Sequence, residues 1–149
     1  MLCSTLGIGC ADCASQTTCN ACDGGYVLYQ NTCGLTAPAG YYDKNGVATA
    51  CSGTCATCSI LATNCTSCLG SLALSGNQCV STCPGGQVAI SNQCLNCTSP
   101  CLNCSTSQTF CTACVSIVSP NTVYLTNGQC VVASLCPNYT YANPATLKC

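Results

Sequence analysis

The chain has 149 residues, 22 of them cysteine, and a formal net charge of -1. Its five charged side chains are two lysines and three aspartates, and Arg, Glu, His and Trp are absent. Two lysines cannot neutralise a run of phosphates, which excludes nucleic acid as a partner. Acid–base catalysis usually draws on His, Glu, Asp or Lys beside a second charge, so the composition predicts no catalytic residues and no enzymatic activity.

Apolar side chains other than cysteine are too few for an ordinary core. Leu, Ile, Val and Phe together supply 27 residues, less than the share in a typical globular domain. Cysteine, at about one residue in seven, is instead typical of a disulfide scaffold, and an even number of cysteines permits complete pairing. Because disulfides persist outside the cytosol, we expect an extracellular or cell-surface location.

Short apolar runs that end in a two-residue turn recur along the chain. In chain order they are Tyr26–Tyr29 before Gln30-Asn31, Leu72–Leu74 before Gly76-Asn77, Val88–Ile90 before Ser91-Asn92, and Val123–Thr126 before Asn127-Gly128. Asn and Gly tolerate the positive φ that tight hairpin turns require. No apolar face with helical periodicity extends beyond two turns. We therefore predict a small disulfide-rich fold, mostly β-hairpins and turns, built as an elongated tandem-repeat rod.

The cysteines recur with a period of about 46 residues, which predicts three repeats. Repeat 1, residues 1–50, contains Cys3, Cys10, Cys13, Cys19, Cys22 and Cys33. Repeat 2, residues 51–96, contains Cys51, Cys55, Cys58, Cys65, Cys68, Cys79, Cys83 and Cys94. Repeat 3, residues 97–149, contains Cys97, Cys101, Cys104, Cys111, Cys114, Cys130, Cys136 and Cys149. We predict that all 22 form disulfides.

Repeat 1 lacks two cysteines that repeat 2 contains. Ala37 stands where repeat 2 has Cys83, and Ala48 stands where it has Cys94. Both are missing together at identical spacing, which is the pattern that loss of one disulfide leaves. The matched loss therefore predicts two bonds, Cys83–Cys94 and Cys136–Cys149.

The ends of the chain fall in phase with the repeats. Two residues separate Cys94 from Cys97, the same number precedes Cys3, and the chain stops on Cys149. We expect three repeats of a longer array, whose partners are copies of the chain or neighbouring repeats. Residues 1–9 lack the features of a signal peptide, and no carboxy-terminal apolar tail indicates a lipid anchor. No run approaches 18 apolar residues, so no transmembrane segment is predicted.

Repeat 2 resembles a known family module. Its pattern is Cys51-x3-Cys55-x2-Cys58-x6-Cys65-x2-Cys68-x10-Cys79-x3-Cys83-Pro-x-Gly-x7-Cys94. This resembles the furin-like repeat of the growth-factor-receptor cysteine-rich class, and the likeness extends over all three repeats. The resemblance implies that the first cysteine bonds to the third, the second to the fourth, the fifth to the sixth and the seventh to the eighth.

The family pairing can be carried over repeat by repeat. For repeat 2 it implies Cys51–Cys58, Cys55–Cys65, Cys68–Cys79 and Cys83–Cys94. For repeat 3 it implies Cys97–Cys104, Cys101–Cys111, Cys114–Cys130 and Cys136–Cys149. For repeat 1 it implies Cys3–Cys13, Cys10–Cys19 and Cys22–Cys33. The long loop from Cys114 to Cys130 and the five residues before Cys136 depart from the family spacing. In composition, this nearly uncharged chain resembles protozoan surface antigens, notably ciliate immobilisation antigens.

Four Asn-x-Ser/Thr sequons are candidate sites for N-linked glycans. They begin at Asn64, Asn96, Asn103 and Asn138. Chance is the competing explanation, because Asn, Ser and Thr are abundant in this chain. We expect at least one to be glycosylated, with Asn138 and Asn103 first. Covalent glycans would also keep a nearly uncharged surface soluble.

Metal and redox chemistry are the alternatives for the Cys-x-x-Cys pairs. Structural zinc sites use such pairs, but successive pairs here are only five or six residues apart, and four thiolates would lack nearby cations. A redox-active pair needs a helix N-terminus to lower its thiol pKa, and the sequence shows none. Asp12, Asp23 and Asp43 are expected to be turn residues in separate loops. We predict no metal and no cofactor.

Two functions remain. The first is a non-enzymatic extracellular structural protein, a glycosylated repeat of a cell-surface coat or filament that self-assembles. The second is an extracellular ligand-binding module of a receptor-like surface protein. Interfaces of the second kind usually depend on Arg or aromatic side chains, which are few here. The tandem array and the neutral surface favour the first.

Overall fold

The structure is a computed structural model that describes residues 9–118, 121–138 and 140–149. The chain divides into two compact units, Met1–Cys79 and Val80–Cys149. Both units are built from short strands joined by tight turns.

Seventeen strands lie in the described ranges. In chain order they are β1 (Cys10–Ser15), β2 (Thr18–Cys22), β3 (Val27–Tyr29), β4 (Thr32–Gly34), β5 (Tyr41–Lys44), β6 (Val47–Ala50), β7 (Cys55–Cys58), β8 (Cys65–Cys68), β9 (Ala73–Ser75), β10 (Gln78–Val80), β11 (Gln87–Ile90), β12 (Gln93–Asn96), β13 (Cys101–Cys104), β14 (Cys111–Cys114), β15 (Ile117–Val118), β16 (Asn121–Thr126) and β17 (Gln129–Val132). A 3-10 helix spans Ala133–Leu135, and the described residues contain no other helix. The predicted class, a small disulfide-rich fold of β-hairpins and turns, is confirmed.

The hairpin turns lie where the Asn and Gly residues predict them. Gln30 and Asn31, between β3 and β4, have φ values of 45° and 64°. Asn127 and Gly128, between β16 and β17, have φ values of 46° and 77°. Two successive residues with positive φ form the turn whose twist matches that of a two-residue hairpin.

One four-stranded sheet in the first unit joins two hairpins. Its strand order is β4-β3-β6-β5, with antiparallel pairs within each hairpin. The hairpins meet through a parallel pair in which Leu28 of β3 lies opposite Val47 of β6. The Leu28 amide donates to the Gly46 carbonyl at 2.7 Å. This pairing brings the end of β3 close to the start of β5.

Three further hairpins carry the Cys-x-x-Cys pairs. In β7–β8, Cys55 lies opposite Cys68 and Cys58 lies opposite Cys65. The hairpins β1–β2 and β13–β14 have the same register, with cysteines opposite one another at both ends. Cys-x-x-Cys places two sulfurs on each strand, so every such hairpin presents four cysteines at adjacent positions.

Cysteine supplies much of the small core. Seven of the thirteen buried apolar residues in the described ranges are cysteines. In the first unit, Tyr42 is buried against Cys55, Cys58 and Cys65, with Leu74 at the edge of the cluster. Seven sulfur-bearing side chains thus occupy positions that aliphatic side chains fill in an ordinary domain.

The second unit buries an aromatic and aliphatic pair beside its bridges. Val123 and Tyr124 of β16 are both buried. The ring of Phe110 lies directly over Gly128, and any side chain there would collide with it. Gly128 also has a φ of 77°, so both sterics and backbone conformation require glycine at this turn.

No helix in the described part of the chain is long and apolar enough to cross a membrane.

Candidate functional site

The disulfide bridges are the dominant chemical feature of the molecule. The structure contains Cys10–Cys19, Cys22–Cys33, Cys51–Cys58, Cys55–Cys65, Cys68–Cys79, Cys83–Cys94, Cys97–Cys104, Cys101–Cys111, Cys114–Cys130 and Cys136–Cys149. These ten pairs are the same as those that the family resemblance implies. Cys13 is also disulfide-bonded, while Cys3, its implied partner, lies outside the described residues. No cysteine in the described ranges is a free thiol.

Three bridges hold the β7–β8 hairpin, one within it and two that tie it to other segments. In repeat 2, Cys55–Cys65 crosses the hairpin and has a Cα–Cα distance of 5.0 Å. The other two bridges, Cys51–Cys58 and Cys68–Cys79, tie the hairpin to the segment before it and to the hairpin after it. A short hairpin alone is marginally stable in water, so the bridges supply the restraint that a larger sheet would provide.

Within the described ranges, neighbouring bridges bring three sulfurs together at two places. The groups are Cys10, Cys19 and Cys33, and Cys101, Cys111 and Cys130, whose sulfur atoms lie within 4.8 Å of one another. Zinc binds thiolates, and each of these sulfurs is instead in a disulfide. The clustering therefore follows from bridge packing.

The aspartates do not converge. Asp12, Asp23 and Asp43 are all exposed. Asp43 Oδ1 accepts a hydrogen bond from the Gly46 amide at 2.7 Å, closing the turn between β5 and β6. Asp23 precedes a turn, as expected, but Asp12 and Asp43 lie within strands β1 and β5 and not in loops. The expectation of a loop was wrong at these two positions, because β1 and β5 form where no apolar run indicated a strand.

The fourth bridge of repeat 2 shows what repeat 1 lacks. Cys94 lies in β12 opposite Ala89, and it bonds to Cys83, with a Cα–Cα distance of 5.5 Å. In repeat 1, Ala48 lies in β6 opposite Asp43 with the same register, and Ala37 takes the place of Cys83. The strands therefore keep the same arrangement without the bridge.

An aromatic pair lies in the sheet that lacks this bridge. The rings of Tyr29, at the end of β3, and Tyr41, at the start of β5, contact edge to face with centroids 4.8 Å apart. A hydrogen bond with the Tyr41 side chain raises the pKa of Tyr29 above its usual 10.0, because it stabilises the protonated phenol. No motif in the sequence marks this pair as a site.

Asn64 is the least accessible of the four sequon asparagines. It is half-buried, and its Nδ2 donates to the Ser59 carbonyl at 3.0 Å. The Asn64 carbonyl accepts from the Ser59 amide at 3.0 Å. Nδ2 is the atom that a glycan would occupy, so in Asn64 this atom already closes the tip of the β7–β8 hairpin.

Asn96 and Asn103 are exposed, and each accepts a hydrogen bond through its side-chain oxygen. Asn96 Oδ1 accepts from Gln87 Nε2 at 2.9 Å. Asn103 Oδ1 accepts from the Gly86 amide at 2.9 Å. Neither contact uses the nitrogen as donor, so both are compatible with a glycan on Nδ2.

Asn138 is exposed and lies near the end of the chain. The middle residue of its sequon, Tyr139, is outside the described residues. The third residue, Thr140, donates through Oγ1 to the Pro137 carbonyl at 2.6 Å and through its amide to the same carbonyl at 3.1 Å. Thr140, the last residue of the sequon, is therefore held close to Pro137 at the surface.

The second unit also has shallow clefts. One of about 320 Å³ is lined by Thr140, Tyr141, Asn143, Thr146 and Lys148. Tyr141 is 73% exposed. The cleft combines an aromatic face, hydroxyl and amide groups, and one of the two cations of the chain.

Comparison with known proteins gives a partial match. No protein-family model matches the chain. A stretch of 65 residues, 41% of the chain, is 34% identical to proprotein convertase subtilisin/kexin type 5 of Rattus norvegicus, and it covers 4% of that protein. The match does not support the compositional likeness to ciliate immobilisation antigens. Together with the disulfide-stapled hairpins, it fits a furin-like repeat.

Proposed function

We propose that the chain is a non-enzymatic structural segment of an extracellular protein, a glycosylated repeat of a cell-surface coat or filament that contacts copies of itself. The observation that carries the proposal is the use of disulfide bridges in place of a core. Bridges hold each hairpin covalently, so the fold tolerates dilution, proteases and changing solvent outside the cell. Such a fold is suited to a scaffold and uses no acid–base groups.

The nature of the surface supports contact between copies. Only five side chains of the chain are charged, so charge repulsion between molecules is weak. Ile60 and Leu61 are 79% and 60% exposed at the tip of the β7–β8 hairpin, and Leu35 and Leu135 are 73% and 67% exposed. Exposed apolar side chains with little charge around them favour lateral association.

Electron microscopy of the native material tests the structural role. We expect a regular coat or fibres at the cell surface, and concentration-dependent assembly of the purified protein. Dispersed single molecules in both settings would contradict the proposal.

Glycosylation is tested by the intact mass of protein made in a eukaryotic secretory system. Asn103→Gln and Asn138→Gln are each expected to remove one glycan mass, because both asparagines are exposed. Asn64→Gln is the matched control and is expected to leave the glycan mass unchanged, since Asn64 Nδ2 is hydrogen-bonded to Ser59. A protein whose mass equals that of its polypeptide would contradict glycosylation.

A ligand-binding module is the second candidate, and the cleft beside Tyr141 is the observation that favours it. The convertase match is compatible with both candidates, because cysteine-rich repeats occur in proteins of different function. A pull-down from extracellular fluid distinguishes the two. A single saturable partner that is lost on Tyr141→Ala favours binding, whereas recovery of the same chain alone favours the structural role.

A further inference from the structure

We propose that Tyr29 and Tyr41 form a site for oxidative cross-linking, in which a carbon–carbon bond between their rings makes an intramolecular dityrosine. The chemical partner is an extracellular peroxidase that uses hydrogen peroxide. The proposal concerns this chain's own covalent structure and does not depend on the coat or on any glycan.

The geometry of the two rings carries the proposal. Their centroids are 4.8 Å apart and the interplanar angle is 65°. The Tyr41 side chain is also the chief cause of the raised pKa of Tyr29, as expected for two phenol hydroxyl groups close to each other. The ortho carbons that couple in dityrosine flank these hydroxyl groups.

No protein group other than the two phenols takes part in the step. Each phenol loses one electron and one proton, giving two neighbouring phenoxyl radicals. The radicals join through ortho carbons, and each ring regains its aromaticity by moving a hydrogen from that carbon to the oxygen. The two phenols together lose two hydrogen atoms, and one hydrogen peroxide is reduced to two waters.

The surroundings of the pair favour reaction within one chain. Tyr29 and Tyr41 are both half-buried, so they are within reach of a small oxidant but flanked by protein. Tyr42 and Tyr124 are buried, and no other described tyrosines are in ring contact. A radical on Tyr29 therefore meets the Tyr41 ring before it meets another molecule, as expected for a preorganised pair.

The position of the pair gives the cross-link a structural role. It lies in the sheet of strand order β4-β3-β6-β5, which lacks the bridge that Cys83–Cys94 forms in repeat 2. A bond from Tyr29 to Tyr41 would join β3 to β5, and so fasten the β5–β6 hairpin to the β3–β4 hairpin. Repeat 2 has Ser75 and Gln87 at the corresponding positions, and it keeps its disulfide.

The test treats the full, disulfide-bonded chain with a peroxidase and hydrogen peroxide at low protein concentration. Monomer is then isolated, reduced, alkylated and cleaved with chymotrypsin, which cuts between the two tyrosines at Leu35. We expect dityrosine fluorescence in the monomer, and a cross-linked peptide pair of Tyr29 and Tyr41 lighter by two hydrogen atoms.

Phenylalanine variants separate the site from general tyrosine oxidation. Tyr29→Phe and Tyr41→Phe are each expected to abolish the monomer cross-link, because each removes one phenol and keeps the ring. Tyr26→Phe is the matched control and should retain it, and disulfide counting by intact mass verifies that all three variants fold. Wild-type monomer without dityrosine, or cross-links that survive in Tyr29→Phe, would overturn the proposal.

Discussion

Cys19 Sγ lies 3.3 Å from Cys33 Sγ, although the two atoms belong to different disulfides. Cys10–Cys19 joins β1 to β2, and Cys22–Cys33 joins β2 to β4. The two bridges meet where β2 lies beside β4. Disulfides that converge in this way restrain three strands at one point. They also place Cys19 Sγ close enough to Cys33 Sγ for thiol–disulfide exchange if either bond is broken.

Removing one bridge is therefore expected to alter its neighbour. In Cys10→Ser, the Cys19 thiolate can attack Cys33, form Cys19–Cys33 and release Cys22 as the new thiol. Alkylation of the folded variant and peptide mapping should find label on Cys22 in a substantial fraction of molecules. Label confined to Cys19 would show that the bridges do not exchange.

A second variant provides the control for this exchange. Cys136→Ser leaves Cys149, which lies in neither group of three sulfurs. Because Cys149 lies outside both groups, we expect its thiol not to exchange, and the label should stay on Cys149.

The missing bridge of repeat 1 should be restorable. Ala48 and Cys94 occupy the same register position in their hairpins. The preceding turns also match, because the Tyr41 amide donates to the Pro38 carbonyl at 3.0 Å and the Gln87 amide donates to the Pro84 carbonyl at 3.1 Å. We expect Ala37→Cys with Ala48→Cys to form a disulfide and to stabilise the fold by about 3 kcal/mol, as a loop of this length should.

Mass and melting measurements test the restored bridge. The double variant should be lighter by two hydrogen atoms than its thiol form and should melt at a higher temperature than the parent. Ala37→Cys alone is the control, with a free thiol and no gain in stability. Two alkylatable thiols in the folded double variant would contradict the equivalence of the two hairpins.

The hairpins and their turns could be predicted from sequence because the information is local. Asn127-Gly128 and Gln30-Asn31 adopt positive φ through preferences of their own residues and immediate neighbours. The bridge pairing came from the family resemblance, because the spacing alone leaves more than one sulfur close enough to bond, as the 3.3 Å between Cys19 and Cys33 shows.

The contacts that the sequence did not reveal are those between hairpins. Tyr29 meets Tyr41 only because β3 pairs in parallel with β6 through Leu28 and Val47. No turn residue or cysteine spacing encodes that pairing. Similarly, the hydrogen bond from Asn64 Nδ2 to the Ser59 carbonyl is a contact that a sequon pattern does not contain.

The tip of the β7–β8 hairpin contains a strained residue. Ile60 has a φ of 68° and is 79% exposed. A β-branched residue in the left-handed region costs about 1–2 kcal/mol, and its exposure means that little packing is gained in return. Ile60→Gly should therefore stabilise the hairpin by about 0.5–1 kcal/mol after the added freedom of the unfolded chain is subtracted.

Two further substitutions control for this effect. Thr106 holds the equivalent turn position with a φ of 61°, so Thr106→Gly should give a gain in the same direction. Leu61 is not among the residues with positive φ, so Leu61→Gly should give none. Thermal unfolding measures all three, and a loss of stability in Ile60→Gly would mean that Ile60 makes contacts that stabilise the fold.

The Tyr29–Tyr41 hydrogen bond predicts a change in stability at alkaline pH. The bond raises the pKa of Tyr29 in the folded chain above the usual 10.0, so the folded state holds this proton more tightly than the unfolded state. The resulting stabilisation is fully present below pH 10.0 and is lost as pH rises through the higher pKa of the folded state. Absorbance titration should show one tyrosine ionising after the other accessible ones, and Tyr41→Phe should return Tyr29 to its ordinary range. An unchanged titration in Tyr41→Phe would show that the two phenols do not interact in solution.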